Sequence, residues 1–80
     1  MSTKPLNELQ PQEKGNIVRV GGKKEIRRRL MDMGVVKGTE IVMQRVAPLG
    51  DPVEIKIKGY DLALRLEEAA EIMIETEDSL

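Results

Sequence analysis

The sequence predicts a mostly β domain, namely a small half-open barrel of five strands with one inserted α-helix. Three observations lead to this fold class. Residues 53–58 alternate strictly between apolar and charged, a corner with two prolines and one glycine precedes them, and a single stretch, Lys23–Met33, shows convincing helical spacing. The 80 residues are enough for one core. We therefore expect a single domain over 1–80.

Three successive strands form the centre of the prediction. The residues at 53, 55 and 57 are Val, Ile and Ile, and those at 54, 56 and 58 are charged, so residues 53–58 form a strand with one apolar face. The preceding stretch, Thr39–Val46, is rich in β-branched residues. The following stretch, Tyr60–Leu66, carries leucines at 62, 64 and 66. Together these stretches predict a β-meander.

The corner between the first two of these strands reads Ala-Pro-Leu-Gly-Asp-Pro at positions 47–52. Proline lacks an N–H group and glycine adopts positive φ, so the corner cannot continue a ladder. Leu49 lies within it, next to Pro48, Gly50 and Asp51. Two interpretations stay open: Leu49 is available to a partner, or it folds back over the open end of the barrel.

The helix predicted at Lys23–Met33 has a buried stripe formed by Ile26, Leu30 and Met33. At 100° per residue these three fall within about 60° of one another. Glycine follows at 34, where a left-handed C′ residue belongs, and the valine after it is expected to pack back on Leu30. Gly22 is the predicted N-cap.

The exposed side of this helix is basic. It holds five bases within seven residues, against one acid: Lys23, Lys24, Arg27, Arg28 and Arg29. The lysines of the first turn lie at the positive end of the helix dipole, which is unfavourable. The basic side is therefore either a solvated face or a partner surface. Met31 lies on this side, and it either makes an exposed contact or packs on Leu6 and Leu9.

The remaining segments complete the barrel. The lead-in 1–14 is polar, with Leu6 and Leu9 as minor core residues on one helical or 3₁₀ turn. A first strand at 16–20 places Val18 and Val20 on one face and Ile17 on the other. A 3₁₀ turn is predicted at 67–70, a closing strand at 72–74 and an acidic, frayed tail at 75–80. The predicted core is Ile26, Leu30, Met33, Ile41, Met43, Val53, Ile55, Ile57, Leu62, Leu64, Ile72 and Ile74.

Five short strands and one helix in a chain of this length fit an SH3-like barrel. An open sheet with the helix packed on one face uses the same elements and is the alternative.

Composition argues against several functions. The chain has no cysteine and no histidine, so it lacks thiolate and imidazole ligands, and its hydroxyl residues have no base nearby in sequence. We expect no catalytic site, no cofactor and no tight metal site. No apolar run approaches the roughly 20 residues that cross a bilayer, so we expect a cytoplasmic protein without direct membrane insertion.

Several motifs resemble those of the FeoA family, the small cytosolic accessory proteins of bacterial ferrous iron transport. They are Arg-Arg-Leu-Met-Asp-Met-Gly at 28–34, Lys-Gly-Thr at 37–39, Val-Ala-Pro-Leu-Gly-Asp-Pro-Val at 46–53, Gly-Tyr-Asp-Leu-Ala-Leu-Arg at 59–65 and Ala-Ala-Glu-Ile at 69–72. The resemblance implies an SH3-like barrel that acts by interaction with FeoB, a membrane transporter with a GTP-hydrolysing domain. It also implies kinship with the C-terminal domain of metal-dependent repressors.

Three function classes follow from these observations. The first is a protein-interaction module that tunes the iron transporter, and the second is a stand-alone relative of the repressor domain that binds a peptide. The third is nucleic-acid binding through the basic helix, which the net charge of −1 and the single aromatic residue, Tyr60, argue against. We favour the first class and expect no nucleic-acid partner. The predicted partner surface is Arg27, Arg28 and Met31 on the helix, beside the corner Pro48, Leu49, Gly50 and Asp51.

Overall fold

The computed structural model describes residues 2–76, which form six strands and two α-helices. The strands are β1 (Ser2–Pro5), β2 (Lys14–Val20), β3 (Glu40–Val46), β4 (Val53–Ile57), β5 (Tyr60–Leu64) and β6 (Ile72–Thr76). The helices are α1 (Lys24–Asp32) and α2 (Leu66–Ala69), and a 3₁₀ turn spans Leu6–Glu8. All strands join one antiparallel sheet in the order β1-β6-β2-β3-β4-β5. The mostly β class is confirmed.

The barrel has one strand more than the five that were predicted. β1 lies in the segment that was predicted to be a polar lead-in, and it pairs with β6 from Ser2↔Thr76 to Pro5↔Met73. The hydroxyl groups of Ser2 and Thr76 lie 3.1 Å apart across this pair. A four-residue polar strand shows almost no alternation of apolar and polar residues. Only its pairing with a strand far away in sequence identifies it. The tail predicted to fray was 75–80. The prediction is wrong for Glu75 and Thr76, which belong to β6, and residues 77–80 lie outside the described part.

The centre of the meander matches the prediction closely. Val53, Ile55 and Ile57 of β4 are all buried. The strand ends one residue before the predicted limit, because Lys58 and Gly59 have φ values of 51° and 83°. Two successive residues with positive φ form the tight hairpin whose twist matches that of the flanking strands.

The third strand of the meander is shorter than predicted. β5 ends at Leu64, which is buried, and Leu66 already belongs to α2 with 38% of its surface exposed. The prediction that Leu66 continues the apolar stripe is therefore wrong. The turn that follows is a single α-helical turn instead of the predicted 3₁₀ turn, so the domain has a second helix.

The first predicted strand is longer than predicted, and its pairing with β6 is irregular. β2 begins at Lys14 and its register against β6 shifts between Ile17 and Arg19. This bulge inserts one extra residue, so Val20 packs against the core on the same side as Ile17. The predicted placement of Ile17 and Val20 on opposite faces is wrong for this reason.

Helix α1 is one residue shorter than predicted at each end, and it has the C-terminal glycine motif that was predicted. Gly34 has a φ of 91°, and the N–H of Val35 donates to the carbonyl of Leu30 at 2.9 Å. The N–H of Gly34 donates to Met31 O at 3.0 Å, which completes a Schellman motif. The N-cap is Lys23 instead of the predicted Gly22, and no side chain caps this end.

Nine of the twelve predicted core residues are fully buried, and Ile26, Met33 and Leu62 are partly buried against them. The prediction overestimated the burial of these three side chains. The expected role of Leu6 and Leu9 as minor core residues is confirmed, since both are buried at the 3₁₀ turn. The core is completed by three residues that the predicted set left out, namely Ile17, Val35 and Ala69.

Candidate protein-interaction surface

The outer side of α1 is strongly cationic and mostly unpaired. In the part of the chain that the structure describes, ion pairs form at Lys4, Arg29, Arg45 and Arg65. The other bases of the helix region, Lys23, Lys24, Arg27 and Arg28, are exposed and make no ion pair with the described residues. Four unpaired charges on less than two turns of chain create a local positive field that attracts acidic surfaces.

Helical geometry places the predicted contact residues of α1 on different sides. Leu30 is buried, so Arg28 points away from the core. Arg27 and Met31 lie on one flank, and Arg29 lies on the other. Met31 has 50% of its surface exposed. Half of the Met31 surface is therefore available to a partner.

The corner between β3 and β4 is a closed turn with an apolar tip. The N–H of Gly50 donates to the carbonyl of Ala47 at 2.7 Å, and the N–H of Ala47 donates to that of Pro52 at 3.1 Å. Pro48 takes the second turn position, where its fixed φ is favoured. Leu49 stands at the tip with 95% of its surface exposed, so the interpretation that it folds back over the barrel is wrong.

Asp51 has a structural contact that the sequence did not indicate. Its Oδ1 atom accepts a hydrogen bond from the N–H of Leu66 at 3.1 Å, which satisfies one free donor at the start of α2. The negative charge is also favourable at a helix N-terminus. Because its partner is 15 residues away, sequence spacing alone does not find this bond. The bond braces the corner against α2.

A second contact joins α2 to α1. The buried Glu68 accepts the N–H of Arg65 at 2.9 Å through Oε1, and its Oε2 lies 3.4 Å from Nη1 of Arg29. The corner, α2 and the Arg29 flank of α1 are thus connected by polar contacts, whereas Arg27 and Met31 face the opposite flank. Sequence reasoning missed Arg29, Leu66 and Glu68. A glutamate three residues after a helix N-cap was an available signal for Glu68.

Replacing Asp51 with alanine will loosen the corner. The lost hydrogen bond is exposed, so we expect a cost of about 0.5–1.5 kcal/mol and faster hydrogen exchange at the amide of Leu66. Asp51→Asn is the matched control because its amide oxygen still accepts the bond. Equal exchange rates at Leu66 in the parent and in the alanine variant would show that the brace is not formed.

The structure offers little for small-ligand or metal chemistry. Among residues 2–76 there is no group of three or more acidic, histidine or cysteine side chains able to hold a metal ion. A shallow depression beside Gly21 and Gly22 is lined by Arg19, Glu71 and Met73. Glu71 packs against both glycines, and a carboxylate there repels phosphate. No helix in the described part is long and apolar enough to span a bilayer.

Comparison with known proteins identifies the family. The model of the FeoA domain matches residues 4–76. The chain belongs to the FeoA family. A curated FeoA relative is the Fe(2+) transport protein A/Fe(2+) transporter FeoB fusion protein of Porphyromonas gingivalis, which is 43% identical over 70 residues. The alignment covers 88% of this chain and 8% of that protein.

Solved FeoA structures share the fold. An FeoA-like protein from Clostridium acetobutylicum is 36% identical with a TM-score of 0.88, over 100% of this chain and 93% of that one. The FeoA of Stenotrophomonas maltophilia, solved with zinc and described as a prokaryotic SH3 domain protein, is 29% identical with a TM-score of 0.76, over 89% and 88%. The predicted SH3-like class is confirmed. FeoA is an accessory family of iron transport and not a known enzyme family.

Proposed function

We propose that this FeoA chain is a cytoplasmic regulator of ferrous iron transport that acts through protein–protein contact with a FeoB-type transporter and catalyses no reaction itself. The observation that carries the proposal is Leu49, which stands 95% exposed at the tip of a closed and braced turn. A leucine held in water on a rigid corner contributes nothing to the core. Its burial by a partner yields about 1.5–3 kcal/mol.

The charges on α1 support a protein partner with an acidic surface. Arg27 and Arg28 have no ion pair within residues 2–76, so no carboxylate of these residues competes with a partner carboxylate for them. Exposed charges of this kind raise the rate of association, while buried apolar anchors determine how long a complex lasts. Met31 and Leu49 are apolar anchor candidates at the helix and at the corner.

The fused relative supports FeoB as the partner. In the P. gingivalis protein an FeoA unit and FeoB share one polypeptide. A covalent link keeps the two parts at a high effective concentration, so even a weak contact forms.

A triple variant tests the proposal. Arg27→Gln, Arg28→Gln and Leu49→Ser together will leave folding intact, because all three side chains are exposed. We expect co-purification with FeoB from detergent-solubilised cells to fall by about tenfold or more, the effect of losing roughly 1.4 kcal/mol.

The matched control removes the same number of charges elsewhere. Lys14→Gln with Lys56→Gln changes two exposed lysines of the sheet and is expected to bind like the parent. If the folded triple variant co-purifies with FeoB and supports iron uptake as the parent does, the proposed surface is wrong.

Nucleic-acid binding, the less favoured form of the repressor-like alternative, rests on the same unpaired cations. The net charge of −1 and the single aromatic residue argue against it. A gel-shift titration with duplex and single-stranded DNA at rising salt is expected to show no retardation. A salt-sensitive shift that disappears in Arg27→Gln/Arg28→Gln would favour nucleic-acid binding.

A further inference from the structure

The two edges of the sheet differ in how they are protected. β1 is four residues long, ends at Pro5 and carries Lys4, which pairs with Glu13 at 3.1 Å. β5 has five residues, contains neither proline nor lysine, and keeps an unshifted register against β4 from Val53↔Leu64 to Ile57↔Tyr60. Proteins normally protect an edge with proline, lysine, a bulge or a very short strand. β5 shows none of these four features. Its one charged residue, Asp61, is a further kind of edge protection, but its carboxylate is hydrogen-bonded to Gln44.

Hairpin geometry shows which backbone groups of β5 face outward. The two-residue turn at Lys58 and Gly59 makes Ile57–Tyr60 a hydrogen-bonded pair. Along an antiparallel ladder, hydrogen-bonded pairs alternate with pairs whose N–H and C=O groups point away from each other. The backbone N–H and C=O groups of Leu62 are therefore hydrogen-bonded to Ile55 of β4. The N–H and C=O groups of Asp61 and Ala63 point away from β4, and both residues are exposed.

These outward groups are free within residues 2–76. No backbone hydrogen bond there joins Asp61 or Ala63 to another segment. The free stretch ends at Arg65, since its N–H donates to Glu68 and its carbonyl accepts from the N–H groups of Glu68 and Ala69. The side chain of Asp61 accepts a hydrogen bond from the Gln44 side chain at 2.9 Å. This bond does not use the backbone N–H or C=O group of Asp61.

We propose that the β5 edge is a strand-docking site at which an extended segment of the FeoB-type transporter adds as a seventh strand. This inference rests on the proposed function and specifies how the partner is held. Main-chain hydrogen bonds to Asp61 and Ala63 supply affinity in this mode of recognition, and side chains at alternate positions supply specificity.

The position of the edge in the fold favours the transporter as occupant. β5 runs toward the corner, because Leu64 pairs with Val53, the residue that directly follows the corner. Beyond the end of β5, Leu66 is 38% exposed, and its N–H is hydrogen-bonded to Asp51. Asp51 lies two residues after the exposed Leu49. A segment lying along the edge thus continues onto the corner surface of the proposed function. Edge and corner form one docking surface.

Hydrogen exchange by NMR tests the proposal. In the free chain the amides of Asp61 and Ala63 are expected to exchange about 100-fold faster than that of Leu62, which is held in the ladder. In the complex with detergent-solubilised FeoB, the Asp61 and Ala63 amides are expected to slow by about tenfold or more, while Leu62 changes little.

A proline substitution gives a second, independent readout. Ala63→Pro removes one outward N–H and puts a ring in the path of the docking strand, but it leaves the bonds to β4 in place. We expect FeoB binding to weaken about tenfold or more. Ala63→Val keeps the N–H and is expected to bind within about threefold of the parent, since its branched side chain suits a strand. Retained protection of the Leu62 amide shows that the proline variant is folded.

Each outcome separates this inference from the proposed function. Slow exchange of Asp61 and Ala63 in the free chain would overturn the open edge. A complex with FeoB that leaves these two amides unprotected would overturn strand docking and leave the proposed function standing. If protection appears with rising protein concentration and no FeoB, the occupant is a second copy and the assigned partner is wrong. If the parent does not bind FeoB at all, both proposals fail.

Discussion

Replacing Leu30 with alanine will destabilise the domain by about 2–5 kcal/mol. Leu30 is the fully buried residue of α1, and its carbonyl also accepts the hydrogen bond that closes the helix. Truncation removes apolar area and leaves a cavity between the helix and the sheet. A domain of this size is stabilised by roughly 4–12 kcal/mol, so the loss is a large fraction of the total. Urea unfolding followed by circular dichroism measures it.

The neighbouring residue provides the control for this prediction. Met31→Ala changes a side chain of similar size on the same helix, but Met31 is half exposed. We expect an effect within about 0.5 kcal/mol. If the cost of Leu30→Ala is as small as that of Met31→Ala, the assignment of the buried face of α1 is wrong.

Replacing Gly15 with alanine will disrupt the pairing of β2 with β6. A Cβ atom at this position would lie 2.5 Å from Cγ2 of Ile74 and 2.6 Å from the carbonyl oxygen of Glu75. The second contact is with backbone, so rotation of a side chain cannot relieve it. Overpacking of this kind costs about 1–3 kcal/mol and sometimes more. We expect lower stability in urea and faster amide exchange along β6.

Gly38→Ala is the contrasting control. No atom lies within 4 Å of a Cβ built at Gly38, but its φ is 92°. This variant therefore tests backbone strain alone, about 1–2 kcal/mol, and should not change exchange along β6. Tolerance of Gly15→Ala without any change in β6 would mean that the two strands are farther apart than the structure shows.

The proposed functional surface combines long basic side chains on α1 with an apolar corner held by hydrogen bonds. The long side chains of Arg27 and Arg28 are suited to guiding encounter, while the corner is held by its turn and by Asp51. If strand docking at β5 holds the partner, then Leu49 and the β5 edge act in the same contact. Combining Leu49→Ser with Ala63→Pro and comparing the loss of binding with the two single losses would measure that coupling.

The sequence by itself determined the features that depend on local pattern. The alternation of Val53, Ile55 and Ile57 predicted β4 and its buried face, and the glycine at 34 predicted the end of α1. The corner was predicted from proline and glycine chemistry, and the basic side of α1 from spacing alone. Each of these rests on steric preferences within a few residues, which are nearly independent of the rest of the fold.

Only the tertiary structure decided which distant segments meet. It made a strand of Ser2–Pro5, bulged β2 beside Ile17, exposed Leu49 fully and left β5 as an open edge. The bond from Leu66 to Asp51 likewise joins residues far apart in sequence. Local sequence does not determine these contacts, because the stability of a strand edge, a bulge or an exposed side chain depends on what the rest of the chain places beside it.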